Sequence, residues 1–468
     1  ISIDGPTSLA VSDNYKKRFE SYGWEYILIN GHNEKEIFKA LKKVQNAKKP
    51  TVISCKTKIG YGSPNKSGKS SSHGSPLGLD EIKLVRKALN WNYKTFEIPN
   101  KILNEWKKIG KKGQKLEIAW NKIYKKKKVI INNLLKNNFT KILKTEKQNT
   151  IKELKSLATR KSSELTLSAL TSVGNNLIGG SADLAGSNNT KTKHHKIVKP
   201  GDFNGNYIHY GVREHAMSGI MNGLALHSNF IPYGGTFLIF SDYCKPSIRL
   251  SALMEQNVIY VMTHDSIGLG EDGPTHQPVE HLSALRAIPN LEVWRPADSI
   301  ETLEVWQASL QSLNTPSIIA LSRQNLKPVR KKFIKNNLSA LGAYILVDRD
   351  DADICLYSSG SEIEIAVNAA EKLELEGIKV RVISVPCLDR FYMQNKEYKD
   401  TIIKSIPKIV IEAGVRQSWD YILNENDIFI GMTTFGSSAP AKDLYKYFSI
   451  TEEKVMSSAK LILNRRNT

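Results

Sequence analysis

The chain has 468 residues, a length that excludes a single small binding module and sets an expectation of about two to four domains. Hydrophobic residues make up 40% and charged residues 24%, ordinary globular usage that buries cores and excludes a disordered chain. The formal charge is +21, but the excess is nearly all lysine in a chain also rich in Ile and Asn, as a biased coding composition produces. Nucleic-acid binding needs basic patches interleaved with stacking aromatics, and only Tyr124 beside Lys125 to Lys128 approaches that pattern, so no nucleic-acid partner is expected. No apolar run is long enough to span a bilayer, so no membrane role is expected either. The first residues, Ile1 to Pro6, lack a secretory signal and an initiator Met, which suggests a chain that begins inside a longer protein. Cys55, Cys244, Cys355 and Cys387 form no Cys-x-x-Cys pair; three lie in apolar strand-like surroundings, as reduced thiols of a cytoplasmic protein would.

In chain order, Thr51 to Cys55 reads as a strand feeding a Gly-, Ser- and Lys-rich surface loop from Lys56 to Gly78. From about Asn100 to Thr150 lysine and asparagine dominate, with Trp106, Trp120 and Ile123 marking short amphipathic helices of a connector whose lysines form a solvated face. From Ile151 to Asn325 helical stretches alternate with buried-strand runs such as Asn257 to Met262 and Pro316 to Leu321, which implies a parallel sheet covered on both faces. The same grammar restarts at Ala340. Asp353 to Tyr357 reads as a strand, Ser361 with Glu364 as a capping box opening a helix that runs to Gly377, and Val380 to Val385 as the next strand. The fold class is therefore α/β, with parallel sheets flanked by helices.

Three constellations carry polar chemistry. Thr263 to Gln277 follows a buried strand directly, so it belongs at a carboxyl edge, where open parallel sheets place their ligands. His264, Asp272 and His276 lack a compact metal-ligand spacing; they suit hydrogen bonding and proton transfer toward a hydroxyl-rich carbonyl substrate, or simple helix capping. Gly211 to Met217 contains Glu214, which reads equally as an ordinary helix N-terminal carboxylate. Thr236 to Tyr243 repeats an aromatic every three residues at Phe237, Phe240 and Tyr243, a stripe that on a helix is usually core. Arg160, Lys161 and Arg323, together with Ser187, offer guanidinium forks and a hydroxyl of the kind that holds a phosphate dianion.

Taken together, Gly-Val-Arg-Glu-His-Ala-Met, the run from Thr263 through Glu280, Gly-Gly-Ser-Ala-Asp-Leu, Leu-Ser-Arg-Gln-Asn-Leu, Ser72 to Gly78 and Gly431 to Gly436 closely resemble the transketolase family, in order over essentially the whole chain. Relative to that family the sequence lacks an amino-terminal stretch of roughly 185 residues, about one domain's worth of chain. The resemblance implies part of a diphosphate-binding domain over 1–110, a helical connector over 111–152, a pyrimidine-binding domain over 153–330 and a C-terminal domain over 340–468. It implies reversible transfer of a two-carbon ketol unit from a ketose phosphate such as xylulose 5-phosphate or sedoheptulose 7-phosphate to an aldose phosphate such as ribose 5-phosphate or glyceraldehyde 3-phosphate, in the pentose phosphate pathway. The implied cofactors are thiamine diphosphate and Mg²⁺ or Ca²⁺, and the implied assembly is a homodimer with sites between subunits.

Carried over residue by residue, the resemblance makes Glu214 the glutamate that bonds the pyrimidine ring, with Phe240 against that ring, Phe237 and Tyr243 beside it, and Asp183 and Leu184 at the cofactor. It places His73, Arg160, Ser187, His264, Asp272, His276 and Arg323 around the sugar phosphate, with His73 and His276 assisting proton transfer and His73 also touching the cofactor. Ile1 would give its backbone carbonyl to the metal. The rivals are a dihydroxyacetone synthase of the same family and a non-catalytic binding protein.

Overall fold

The computed structural model describes residues 3–135, 139–174, 176–227 and 230–466. It divides into two compact units, Ile1–Lys126 and Lys127–Thr468. The expected metal-binding carbonyl of Ile1 lies outside the described residues.

In the first unit, strands β1 (Glu25–Asn30) and β2 (Thr51–Lys56) pair in parallel, with Glu25 opposite Thr51. The crossover between them is the helix Glu34–Val44, whose first turn is capped by Asn33 accepting from the Lys35 and Glu36 amides. The loop after β2 is tied to the helix Leu79–Ala88 by the Glu81 carboxylate, which accepts from the Ser63 hydroxyl and from both the backbone and the side-chain amide of Asn65. Those hydrogen bonds, Ser63 foremost, hold the Glu81 carboxyl down to about 2. The connector differs from expectation: in place of several short helices, one helix runs Asn100–Leu135, followed by Phe139–Lys152. Nothing in Asn100–Leu135 breaks the helix, since proline is absent and the only glycines, Gly110 and Gly113, are each tolerated singly. Lys125 to Lys128 are exposed, as a solvated face requires.

In the second unit, β3 (Leu177–Ser181), β4 (Tyr207–His209), β5 (Ile231–Phe237), β6 (Ile259–Thr263), β7 (Glu292–Trp294) and β8 (Ser317–Leu321) form a wholly parallel sheet of order β4-β3-β5-β6-β8-β7. Successive residues of β6 feed opposite faces: Tyr260 and Met262 pack with Met217, Ile248 and Leu282, while Ile259 and Val261 pack with Leu167, Leu170 and Trp306. Both faces are therefore covered, which is why the strands read as continuous apolar runs.

The chain then builds β9 (Tyr344–Val347), β10 (Ile354–Ser358), β11 (Val380–Ser384), β12 (Lys408–Ile411) and β13 (Ile428–Ile430), ordered β13-β12-β10-β11-β9 with only β9 antiparallel. The helix after β10 spans Glu362–Leu375, but the capping box does not form: Ser361 has helical dihedrals and bonds Glu362, while Glu364 pairs with Lys327. Cys55 and Cys355 lie on strands, Cys244 on a helix and Cys387 just before one, all as free thiols. Among the described residues, no helix is long and apolar enough to cross a membrane.

Candidate active site

Because β3, β5, β6 and β8 run parallel, the loops after Ser181, Phe237, Thr263 and Leu321 all emerge at one sheet edge. These loops hold most of the residues singled out in the sequence. A buried relay of four residues ties the loops after Ser181 and Thr263 together: Ser181 Oγ donates to Asn188 Oδ1 at 3.0 Å, Asn188 Nδ2 donates to Thr263 Oγ1 at 2.6 Å, and Thr263 Oγ1 lies 2.8 Å from His264 Nδ1. Gly235 is required where this relay crosses β5, since a Cβ there would meet the Thr190 side chain at 2.7 Å and Asn188 at 3.1 Å. Asp183 and His264 adopt φ of 62° and 61°, a left-handed conformation that costs a non-glycine residue free energy and turns each chain sharply off its strand.

The aromatic stripe does not lie on one helix. Phe237 ends β5, Phe240 ends the 3-10 turn Leu238–Phe240, and Tyr243 sits in the first turn of the helix Ser241–Leu253. The Phe237 and Phe240 rings stack with centroids 5.5 Å apart and planes 14° off parallel, and Tyr243 continues the row 5.9 Å from Phe240. Phe237 is buried, Phe240 half-buried and Tyr243 exposed, so the row is a wall rather than core. His276 meets both phenylalanines edge-on, at 6.4 and 5.7 Å.

Two arginines converge beside this wall. Arg160, in the first turn of the helix Thr159–Val173, donates through Nη1 to the Ser187 carbonyl at 2.8 Å, and Arg323 donates to the Leu269 carbonyl at 2.6 Å. Burial and the Arg323 charge lower the Arg160 pKa. Burial, Arg160, Arg323 and His276 together push His264 down to about 3, so its imidazole is neutral at neutral pH. An anion placed here would relieve cationic crowding.

Glu214 opens the helix Glu214–His227 and is buried, with no side-chain hydrogen bond among the described residues. Its charge reaches Cys244, whose thiol donates to the Phe240 carbonyl at 3.8 Å and is pushed up to about 12 by burial, with Glu214 and Asp242 acting in the same direction. Asp272 is exposed in the 264–277 loop, Asp183 is exposed, and Leu184 and Ser187 are half-buried in the 182–188 segment. His73 belongs to the first unit, where it follows the turn Ser70–Ser72 and its amide donates to the Ser70 carbonyl at 2.9 Å. Among the described residues, no group of three or more His, Cys, Asp or Glu is gathered that could hold a metal ion.

Sequence reasoning passed over the residues that hold these loops. Arg295, fully buried after β7, donates to Asp265 at 2.8 Å and to the Glu362 carboxylate, and so joins the residue after His264 to the start of the helix Glu362–Leu375. Glu412 binds Arg286 bidentately at 2.8 Å and accepts from Trp419 at 2.7 Å. The available signal was a charged residue following an apolar strand run, which only a paired burial explains.

Three family descriptions match the chain: transketolase, thiamine diphosphate binding domain over 1–147; transketolase, pyrimidine binding domain over 155–328; and transketolase-like C-terminal domain over 342–451. A transketolase of Cereibacter sphaeroides is 45% identical over 469 residues, covering 98% of this chain and 71% of the relative. The chain belongs to the transketolase family. A transketolase of Sinorhizobium medicae is likewise 45% identical, over 99% of this chain and 68% of that relative. The crystal structure of a Pichia stipitis transketolase in complex with sedoheptulose-7-phosphate superposes with a TM-score of 0.91 at 36% identity, covering 100% of this chain and 71% of that one. These transketolase matches establish an enzyme of the transferase class with the family's α/β fold, and the chain spans 71% and 68% of the length of the two relatives.

Proposed function

We propose that the protein is a transketolase that moves a two-carbon ketol unit reversibly between a ketose phosphate and an aldose phosphate, using thiamine diphosphate and a divalent cation, as a cytoplasmic homodimer. The observation that carries the substrate class is the meeting of Arg160 and Arg323 around the neutral His264 at the sheet edge, a set suited to a phosphate dianion next to a polyhydroxyl chain. The Pichia stipitis relative bound to sedoheptulose-7-phosphate supports the same class.

The residues present fit the cofactor. The half-buried Phe240 ring, stacked on Phe237, offers an apolar face to an aromatic ring, and the buried Glu214 carboxylate is available to a ring nitrogen. Thiamine diphosphate, when bound, supplies the electron sink for cleaving the ketol carbon–carbon bond. Around it, Glu214 would hydrogen-bond the pyrimidine nitrogen, and Tyr243, Asp183 and Leu184 would border the ring. Thr263 Oγ1, which accepts from Asn188, also contacts His264 Nδ1, and a tautomer with its proton on Nε2 would donate to a sugar hydroxyl or phosphate. Arg160, Arg323 and Ser187 hold the phosphate, Asp272 reads a hydroxyl configuration, and His276 and His73 carry protons to and from the reacting hydroxyls. The 1–110, 111–152, 153–330 and 340–468 segments serve as diphosphate-side domain, connector, pyrimidine domain and C-terminal domain.

The helices Glu214–His227 and Ser241–Leu253 pack together and leave Ile220, Leu226, Leu250 and Leu253 exposed alongside Tyr243, which supports a second copy covering this face. The test is ketol transfer from xylulose 5-phosphate to ribose 5-phosphate by the natural protein supplied with thiamine diphosphate and Mg²⁺, with formaldehyde as a competing acceptor. Transfer to the aldose phosphate supports the reading. Preferred transfer to formaldehyde supports the dihydroxyacetone synthase, and no transfer to either overturns both.

A further inference from the structure

Gln277 is only 2% exposed, and its Nε2 donates to two carbonyls at once, Gly270 at 2.8 Å and Ser437 at 2.7 Å. Two carbonyl partners on one amide atom fix which end is nitrogen. Gly270 and Gln277 are the two ends of the loop that carries Asp272 and His276, so one side chain closes that loop upon itself and fastens it to the segment after β13. Ser438 adds a second fastening, its Oγ donating to the Glu271 carbonyl at 2.6 Å. The fit around the amide leaves no room: a Cβ on Gly436 would lie 1.7 Å from Gln277 Oε1. Gly270 and Gly273 hold φ of 92° and 82°, so the loop's path depends on conformations that side chains rarely adopt. Gln277 Oε1 has no hydrogen-bond partner among the described residues. An unpaired buried acceptor costs stability, and a residue chosen only as glue would not carry it.

We infer that Gln277 is a positioning residue: by joining Gly270 to Ser437 it holds Asp272 and His276 in place, so that the C-terminal domain sets the geometry of a site to which it contributes no side chain. This rests on the ketol-transfer reading above. A loop displaced by about 1 Å is enough to cost up to a hundredfold in rate.

The test compares wild type with Gln277→Leu, Ser438→Ala, Ser438→Thr and Gly436→Ala, all loaded with thiamine diphosphate and Mg²⁺. Gln277→Leu is expected to lower kcat at least about tenfold and to raise the donor KM, with thiamine diphosphate affinity and thermal midpoint close to wild type. Ser438→Ala should show the same pattern more weakly, and Ser438→Thr, which keeps the hydroxyl, should restore it. Wild-type kcat and KM in Gln277→Leu overturn the proposal. So does a loss of cofactor affinity that parallels the loss of rate, because that marks general loosening. Should Gln277→Leu not fold, Gly436→Ala and Ser438→Ala decide by the same criteria. A wild-type protein without ketol transfer sinks the functional reading instead, a distinct result.

Discussion

The His264 imidazole lies against the Phe237 ring, centroids 3.8 Å apart and planes 30° off parallel. A cation–π contact is not what this pair supplies, because burial first, and then Arg160, Arg323 and His276, push the imidazole down to about 3 from its ordinary 6.5. The folded protein therefore refuses a proton that the unfolded chain accepts between pH 6.5 and about 3. The stability contributed by the neutral ring is complete above pH 6.5 and is lost as pH falls through that window.

Urea unfolding at pH 7, 6 and 5 should thus show a free energy that falls on acidification, with His264 accounting for a slope of about one proton. His264→Phe should flatten the dependence by that proton. An unchanged slope in the variant would contradict the assignment.

Arg160 and Arg323 are bound to the Ser187 and Leu269 carbonyls, which pre-orients both guanidiniums before substrate arrives. Arg323→Ala and Arg160→Ala should each raise the KM for a phosphorylated ketose by about tenfold to a hundredfold, the worth of a charge-assisted bond, while changing kcat little. The check is to repeat the measurement with an unphosphorylated ketose. Both variants should match wild type there, and an equal loss on both donors would detach the arginines from the phosphate.

The layer architecture was legible because β6 and β8 are continuous apolar runs and because Ser361, Gly377 and their neighbours punctuate the C-terminal helix closely enough to place it. The motifs themselves were legible as residue types at a strand's end. What could not be read was long-range pairing. Ser361 and Glu364 spelled a local capping box, yet Ser361 turns to Glu362 and Tyr445, and Glu364 reaches Lys327, because tertiary partners outbid the local ones. The aromatic repeat suggested a helical stripe, but a strand end and a 3-10 turn produce the same spacing. Gln277 gave no local signal, and Arg295 gave only its place after an apolar strand run, since Ser437 and Glu362, which they bind, lie far away in the sequence.

Glu214 combines burial with a place at a helix N-terminus and a carboxylate that meets no side-chain donor among the described residues. Glu214→Gln keeps size and packing and removes the exchangeable charge, so turnover should fall by about a hundredfold to ten-thousandfold with the fold retained. Removing that charge also relieves Cys244, whose thiol should become easier to ionise than its present value of about 12. Steady-state rates together with circular dichroism decide the matter: normal turnover in Glu214→Gln would remove it from the chemistry.

Arg295 is enclosed by Asp265 and Glu362, and its guanidinium also reaches the Ser359 carbonyl at 3.0 Å and Ser361 Oγ at 3.1 Å. A Cβ on Gly360 would strike the Arg295 side chain at 2.7 Å, so the two domains close tightly around this charge. Breaking such a group leaves carboxylates buried without compensation, which costs about 3–5 kcal/mol. Arg295→Met should show that loss in urea unfolding, whereas the triple change Arg295→Met, Asp265→Asn and Glu362→Gln should recover most of it. Recovery of stability without recovery of turnover would mean that the bridge is retained for the course it imposes on Asp265 and its neighbour His264. Recovery of both would reduce it to packing, since no orientation of the imidazole would then depend on the charge.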